Sequence, residues 1–343
     1  MQSARDIDAR DFNGEYAKRQ KVLCRRSGGD TFDDRRSIPV ATIEFGAALP
    51  EIKGVPEFAQ RAESLGFEYL GSGEHMMFHG PVPNSFINLA VAAGATTKIK
   101  LMSTVVLLPL YTPMVVAKMG AVLDVASNGR YHMGIGVGGE FPKEFEACGV
   151  PVKQRGSRSN EALEVINKLW TEKNVSFEGR YSKFSDVTIS PSPSQKPHPP
   201  IWVAGRKEPA MRRAALYADG WLPYMYTPEM LHESLEKIHQ FGKEAGRDMS
   251  QFRPGLFIFA SVYPDRDEAR EQAARALGKN YAQDFSKIAG RYALYGNPED
   301  CRKRLKEYVD AGARTVMISW ACRHDDIDQN MQLIAREVAP AFK

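Results

Sequence analysis

Ile99-Lys-Leu-Met-Ser-Thr-Val-Val-Leu-Leu108, Pro109-Leu-Tyr-Thr-Pro113 and, one helical stretch later, Tyr131-His-Met-Gly-Ile-Gly-Val-Gly-Gly-Glu140 decide how this chain folds. The first run has the length and β-branched content of a strand buried on both faces, and Pro109 closes it. Thr112-Pro113 places a hydroxyl at a helix N-cap and a proline at the first helical position. Val115, Met119, Val122 and Ala126 then recur at helical spacing until Asn128-Gly129. In the strand Tyr131 to Val137, alternation puts Gly134, Gly136 and Gly138 on one face and Tyr131, Met133, Ile135 and Val137 on the other. A strand face without side chains suits two things: a flat ligand against the backbone, or a neighbouring strand or bulge packed too close for a Cβ. The residues alone leave both open.

Working outward, strand and helix signals keep alternating. Thr42 to Leu49, Phe67 to Gly71, Ile201 to Ala204, Gly220 to Leu222, Gly255 to Val262 and Thr315 to Ser319 read as strands. Val55 to Leu65, Ser85 to Thr97, Arg158 to Trp170, Glu208 to Ala218, Pro228 to Ala245, Asp267 to Leu277, Pro298 to Ala311 and Asp326 to Ala339 read as helices. Two stretches break the pattern. Val175 to Ile189 is a hairpin around Glu178-Gly179 leading into a proline-rich connector, Pro191 to Pro200, and Gly278 to Tyr295 is an irregular insertion with the character of a lid. Eight strands alternating with helices predict a (β/α)8 TIM barrel with insertions, spanning 41–343, with its active site at the strand C-termini. Residues 1–40 alternate charge with Gly, Ser and Asp and read as a peripheral arm.

Composition excludes several classes. A net charge of +4 spread over 343 residues does not argue for nucleic acid. No apolar run reaches the roughly 18–20 residues of a membrane helix. Cys24, Cys148, Cys301 and Cys322 form no CxxC pair, which gives no metal signature and suits a reducing cytosol. The N-terminus lacks the apolar core of a secretory signal, so the location expected is cytoplasmic.

The strand-end rule selects candidate residues. His75 lies just beyond the second strand beside Glu74, where a carboxylate could orient an imidazole used as acid or base; a lone histidine is more often structural. Thr104 and Val105 end the third strand, Gly138-Gly139-Glu140 follows the fourth, and Ala204-Gly205-Arg206 follows the fifth. A glycine and an arginine before a helix suit a phosphate. Gly134-x-Gly136-x-Gly138 has the wrong last spacing for a dinucleotide fingerprint. Met76, Met77, Phe78, Phe141, Trp221, Tyr224 and Tyr226 read either as packing or as walls of an apolar pocket.

As an ordered set, these residues resemble the luciferase-like flavin monooxygenase family. The resemblance rests on Pro109-Leu-Tyr-Thr-Pro113, Leu123-Asp124 to Gly129-Arg130, Gly134-Ile-Gly-Val-Gly138, Glu144-Phe145-Glu-Ala-Cys-Gly149, Arg155-Gly-Ser-Arg158 with Glu161, Pro200 to Gly205, and Ala218-Asp219-Gly220-Trp221. It implies a barrel binding FMN or the deazaflavin coenzyme F420, with a non-proline cis peptide behind the ring at Thr104-Val105 and His75 as acid/base. Bacterial luciferase carries a reactive cysteine where this chain has Gly136, so light emission is not implied. Its phosphate-binding arginine is replaced by Val137, which leaves Arg158, Arg206 and the backbone near Gly205 as candidates. Two chemistries follow from the resemblance: oxygenation of a small apolar substrate by O2 and reduced FMN from a separate reductase, or hydride exchange with F420, in which His75 or Glu140 handles the proton. The lack of a dense basic track leans the expectation toward FMN. A flavin-binding protein without turnover is the non-enzyme alternative. Pairing of subunits through the early helices, as a homodimer or a dimer of dimers, is also implied.

Overall fold

Eight parallel strands close into a ring in the computed structural model, which describes residues 42–343. The arm expected over residues 1–40, with Cys24, lies outside the described residues. The strands, in chain order, are β1 Glu44–Ala48, β2 Tyr69–Ser72, β3 Lys100–Ser103, β4 Val106–Leu107, β5 Tyr131–Gly136, β6 Val175–Glu178, β7 Lys183–Val187, β8 Ile201–Val203, β9 Gly220–Trp221, β10 Arg253–Val262, β11 Ala293–Gly296 and β12 Thr315–Trp320. The ring runs β1, β2, β3, β5, β8, β9, β10, β12 and back to β1, with every pairing parallel. Helices follow the strands around the outside, as the expected (β/α)8 barrel requires.

The barrel interior is filled. Tyr69, Met102, Trp202, Leu222 and Met317 form a buried cluster with Ala48, separate from the larger core between strands and helices. Room for these side chains comes from glycines on facing strands. A Cβ at Gly46 would lie 2.6 Å from Met317 Cε, and one at Gly220 would lie 2.5 Å from the Trp202 ring. The inward positions therefore alternate bulky and small, which is how a packed barrel core is built.

Three expectations need correction. The strand predicted over Ile99 to Leu108 is broken: β3 stops at Ser103, Thr104-Val105 is a cis peptide, and β4 has only two residues. That break explains the glycines of β5. A Cβ at Gly134 would stand 2.0 Å from Ser103 O, and one at Gly136 would stand 2.7 Å from Val105 Cγ2. At these two positions the bare face is filled by the end of β3 and by the Val105 side chain in the break. The stretch Gly278 to Tyr295 is also more ordered than predicted. It completes the helix Arg266–Tyr281, makes a short helix Ala289–Tyr292, and enters β11, which pairs with the C-terminal half of β10. Thr112 does hold the N-cap of helix Pro113–Ala126, but its hydroxyl makes no capping bond. The hairpin is present as β6 and β7.

The early helices Ser85–Ala95 and Pro113–Ala126 leave apolar side chains in solvent: Ile87, Val91, Val115, Val122 and Val125. Ile87 is 66% exposed.

Candidate active site at the barrel mouth

The loop after β2 carries two acidic contacts that the sequence could not separate. His75 Nδ1 lies 3.2 and 3.3 Å from the two oxygens of Glu144, whose side chain is fully buried, while His75 itself is 20% exposed. Glu144 also accepts from Met76 N at 3.2 Å. It comes from the short helix Pro142–Ala147, which Pro142 starts just beyond the Gly138–Gly139 turn. The other side of the imidazole stacks on Phe78 at 4.2 Å and 18°. A histidine whose Nδ1 is held by a carboxylate keeps Nε2 for exchange with a substrate, the arrangement used by general acid–base histidines.

Glu74 does something else. Its carboxylate accepts from Leu107 N at 2.9 Å, Tyr111 Oη at 3.1 Å, and Ser85 N and Asn84 Nδ2 at 3.2 Å each. The expectation that Glu74 orients His75 is therefore replaced. Successive residues of an extended loop point to opposite sides, so His75 faces the mouth and Glu74 faces the wall. Glu74 ties the loop to β4, to the Tyr111 segment and to the start of helix Ser85–Ala95. Burial pushes its pKa up, partly opposed by these donors. Tyr111 is pushed up by burial and by Glu74. Glu144 belongs to the motif Glu144-Phe145-Glu-Ala-Cys-Gly149, and nothing in its local pattern marks it as the partner of His75.

Around the rim, Thr104 N donates to Ser72 O at 2.7 Å, and a Cβ at Gly73 would lie 3.0 Å from Thr104 O, so β2 and the cis peptide pack backbone to backbone. Thr104 and Val105 remain half-buried at the mouth. Gly138 and Gly139 have φ of +60° and +109°, which glycine adopts without cost. The guanidinium next to them belongs to Arg155: its Nε would be 3.0 Å from a Cβ at Gly139. Arg158 is turned away, donating to Gln154 Oε1 at 3.0 Å and stacking over Tyr181 of the hairpin at 4.5 Å. Ala204 N is bound to Ile135 O at 2.8 Å, and Gly205 turns at φ +128°. Arg206 lies over the Tyr224 ring at 4.9 Å, and Tyr224 donates to Glu140. Glu140, Tyr224 and Arg206 thus latch the loops after β5, β9 and β8. Burial, then Glu140, pushes the Tyr224 phenol up.

An aromatic roof covers this rim. Phe78 meets Phe141 at 6.2 Å and Tyr281 at 6.3 Å, and Tyr281 continues to Phe259 at 6.4 Å and Phe285 at 5.7 Å. Met76 and Met77 are 39% and 41% exposed beside it. Of the residues read as pocket walls, Trp221 is buried with Nε1 on Gly205 O and Tyr226 bonds Arg206 O, so both support the rim from beneath. Among the described residues no group of three His, Cys, Asp or Glu could hold a metal, and no helix is long and apolar enough to cross a membrane.

A family model described as luciferase-like monooxygenase matches residues 35–315, and the chain belongs to that family. An F420-dependent glucose-6-phosphate dehydrogenase from Microbacterium testaceum is 28% identical over 84% of this chain and 92% of its own length. The oxygenase component of a flavin-dependent trigonelline monooxygenase from Acinetobacter baylyi is 30% identical over 66% of this chain, and the match spans 63% of that protein. Among solved structures, an F420-dependent secondary alcohol dehydrogenase in complex with an F420-acetone adduct superposes with a TM-score of 0.78, covering 88% of this chain and 99% of that one at 21% identity. The family contains both deazaflavin-dependent dehydrogenases and flavin-dependent monooxygenases, and the chain is an oxidoreductase of this kind.

Proposed function

We propose that the protein transfers hydride between coenzyme F420 and a small apolar organic substrate, with His75 exchanging the accompanying proton. The observation that carries this reading is the His75–Glu144 pair: a half-buried imidazole with Nδ1 on a buried carboxylate and Nε2 left for the substrate oxygen. Hydride transfer to a carbonyl, or from an alcohol, needs one such acid/base at the reacting oxygen. The near full-length match to an F420-dependent dehydrogenase supports the same choice over FMN.

The residues present fit a flavin-type ring and its phosphate. Thr104 and Val105 offer a half-buried backbone platform, Gly138, Gly139 and Gly205 allow close approach, and Arg155 and Arg206 supply charge. When bound, the deazaflavin supplies two electrons as hydride and does not activate oxygen. Glu144 fixes the tautomer of His75, Phe78 holds its ring plane, and Phe141 and Tyr281 exclude water from the mouth.

That same roof favours a second reading. An aromatic-walled mouth also suits oxygenation by O2 with reduced FMN supplied by a separate reductase, as the match to an oxygenase component suggests. An anaerobic titration with reduced FMN and reduced F420, followed by air, separates the two. Preferential F420 binding and oxidation of it only with an organic acceptor fit the first; preferential FMN binding and substrate-dependent oxygen uptake fit the second and defeat the first. The exposed valines and Ile87 of the early helices support pairing with a second copy. Light scattering should return twice the chain mass, and Ile87→Glu should lower it.

A further inference from the structure

The opposite end of the barrel holds a pocket lined by charged and apolar residues. Its volume is about 340 Å³, and it is lined by Thr42, Glu44, Lys100, Phe252, Arg253, Pro254, Arg314 and Thr315. Glu44, Lys100, Arg253 and Thr315 are the first residues of β1, β3, β10 and β12, so the pocket lies at the base of the barrel, capping the cluster around Tyr69 and Trp202. Charges at this end of a barrel usually serve stability. Here one ion pair does so: Lys100 binds Glu44, which also accepts from Tyr69 Oη at 3.3 Å and Thr315 Oγ1 at 3.5 Å.

Among the described residues the remaining charge in this lining is not balanced. Three cations, Lys100, Arg253 and Arg314, line the pocket against the single carboxylate of Glu44. Among the described residues neither arginine forms an ion pair; Arg314 uses one nitrogen on Val309 O and Ala313 O, and Arg253 reaches the Tyr69 hydroxyl. The excess is felt inside the barrel, where burial and then Arg253 and Lys100 hold the His132 pKa well below the usual histidine value. Phe252 and Pro254 give one wall an apolar surface, and the volume exceeds what a bare inorganic anion fills.

We propose that this basal pocket binds a small organic oxyanion, through Arg253 and Arg314 with the Thr42 hydroxyl at its rim. Phosphate monoesters and carboxylates share the required chemistry. Calorimetric titration of the full chain at fixed ionic strength with glycerol 3-phosphate, malonate and inorganic phosphate tests it. Saturable binding of an organic probe is expected, weakened about tenfold or more by Arg253→Gln and unchanged by Arg206→Gln at the mouth. The preferred probe assigns the headgroup. Absence of saturable binding, equal binding by wild type and Arg253→Gln, or loss in Arg206→Gln instead overturns the proposal. Thr42→Glu, which sets a carboxylate at the exposed rim, gives the same readout if Arg253→Gln does not fold.

Discussion

Two buried carboxylates flank the loop after β2, one on each side, and they do opposite work. Glu144 holds a single imidazole, 20% exposed, and one backbone N–H, so in the proposed reaction its charge lies beside the group that exchanges the proton. Glu74 collects four donors from three different segments and, among the described residues, bonds neither His75 nor Glu144. Burial and residue type are shared; the difference lies in the partners. A carboxylate surrounded by fixed donors acts as a joint, and one facing a titratable ring acts on chemistry.

The largest effect expected from this contrast is on turnover. His75→Asn should lower it by about 10²-fold, with cofactor affinity within a few fold; the variant also loses the Phe78 stack and the Nδ1 contact to buried Glu144, so turnover is compared at a temperature where it is folded. Steady-state kinetics with a direct cofactor titration checks it; unchanged turnover would remove His75 from the mechanism. Glu144→Gln should cost about tenfold in turnover, since the amide still reaches Nδ1 but no longer carries the charge that stabilises a protonated ring. An effect on stability alone would place Glu144 with Glu74 as a joint.

Much of this was legible in the chain. Alternating apolar runs with proline and glycine punctuation are local signals, and they located all eight barrel strands. The ordered motifs pointed to His75 and to the cis bond at Thr104-Val105, which the structure contains. What stayed hidden was spatial. Glu74 is adjacent to His75 in sequence, but a one-residue step along an extended loop reverses side-chain direction, whereas Glu144 arrives from 69 residues away. The glycine face of β5 was equally ambiguous, because only the position of Ser103 O and Val105 decides that it is filled. Arg155 and Arg158 lie one helical turn apart, and the choice between them depends on where Gly139 and Tyr181 come to rest. β11 was missed because four residues, Ala293-Leu-Tyr-Gly296, carry too little periodicity to distinguish a strand from a loop.

The stability arm of the comparison is Glu74→Gln. If the amide oxygen takes the Oε2 position, it can still serve Asn84, Ser85 and Tyr111, but the amide nitrogen then meets Leu107 N, donor against donor. One buried donor is left without an acceptor, at a cost of about 1–3 kcal/mol. Urea unfolding should show that loss, while turnover at a temperature where the variant is folded should stay within about twofold. A tenfold loss of turnover in the folded variant would mean that Glu74 shapes the chemistry after all.

The smallest effect is a slope. Burial raises the Glu74 pKa in the folded state above its unfolded value, with the donors acting in the opposite direction. A carboxyl with a raised folded pKa binds its proton more tightly when folded, so its contribution to stability is full below the unfolded pKa, about 4.3 for Glu, and is lost as pH rises through the folded value. The stability of wild type relative to Glu74→Gln should therefore fall between about pH 4 and the folded pKa and then level off. Urea midpoints of both proteins measured across that range give the sign directly. A difference that rises with pH would mean the four donors outweigh burial, so that Glu74 is held as a carboxylate and its pKa is lowered. Glu74 would then be electrostatically satisfied as well as structural, and the contrast with Glu144 would narrow to which of the two faces the substrate.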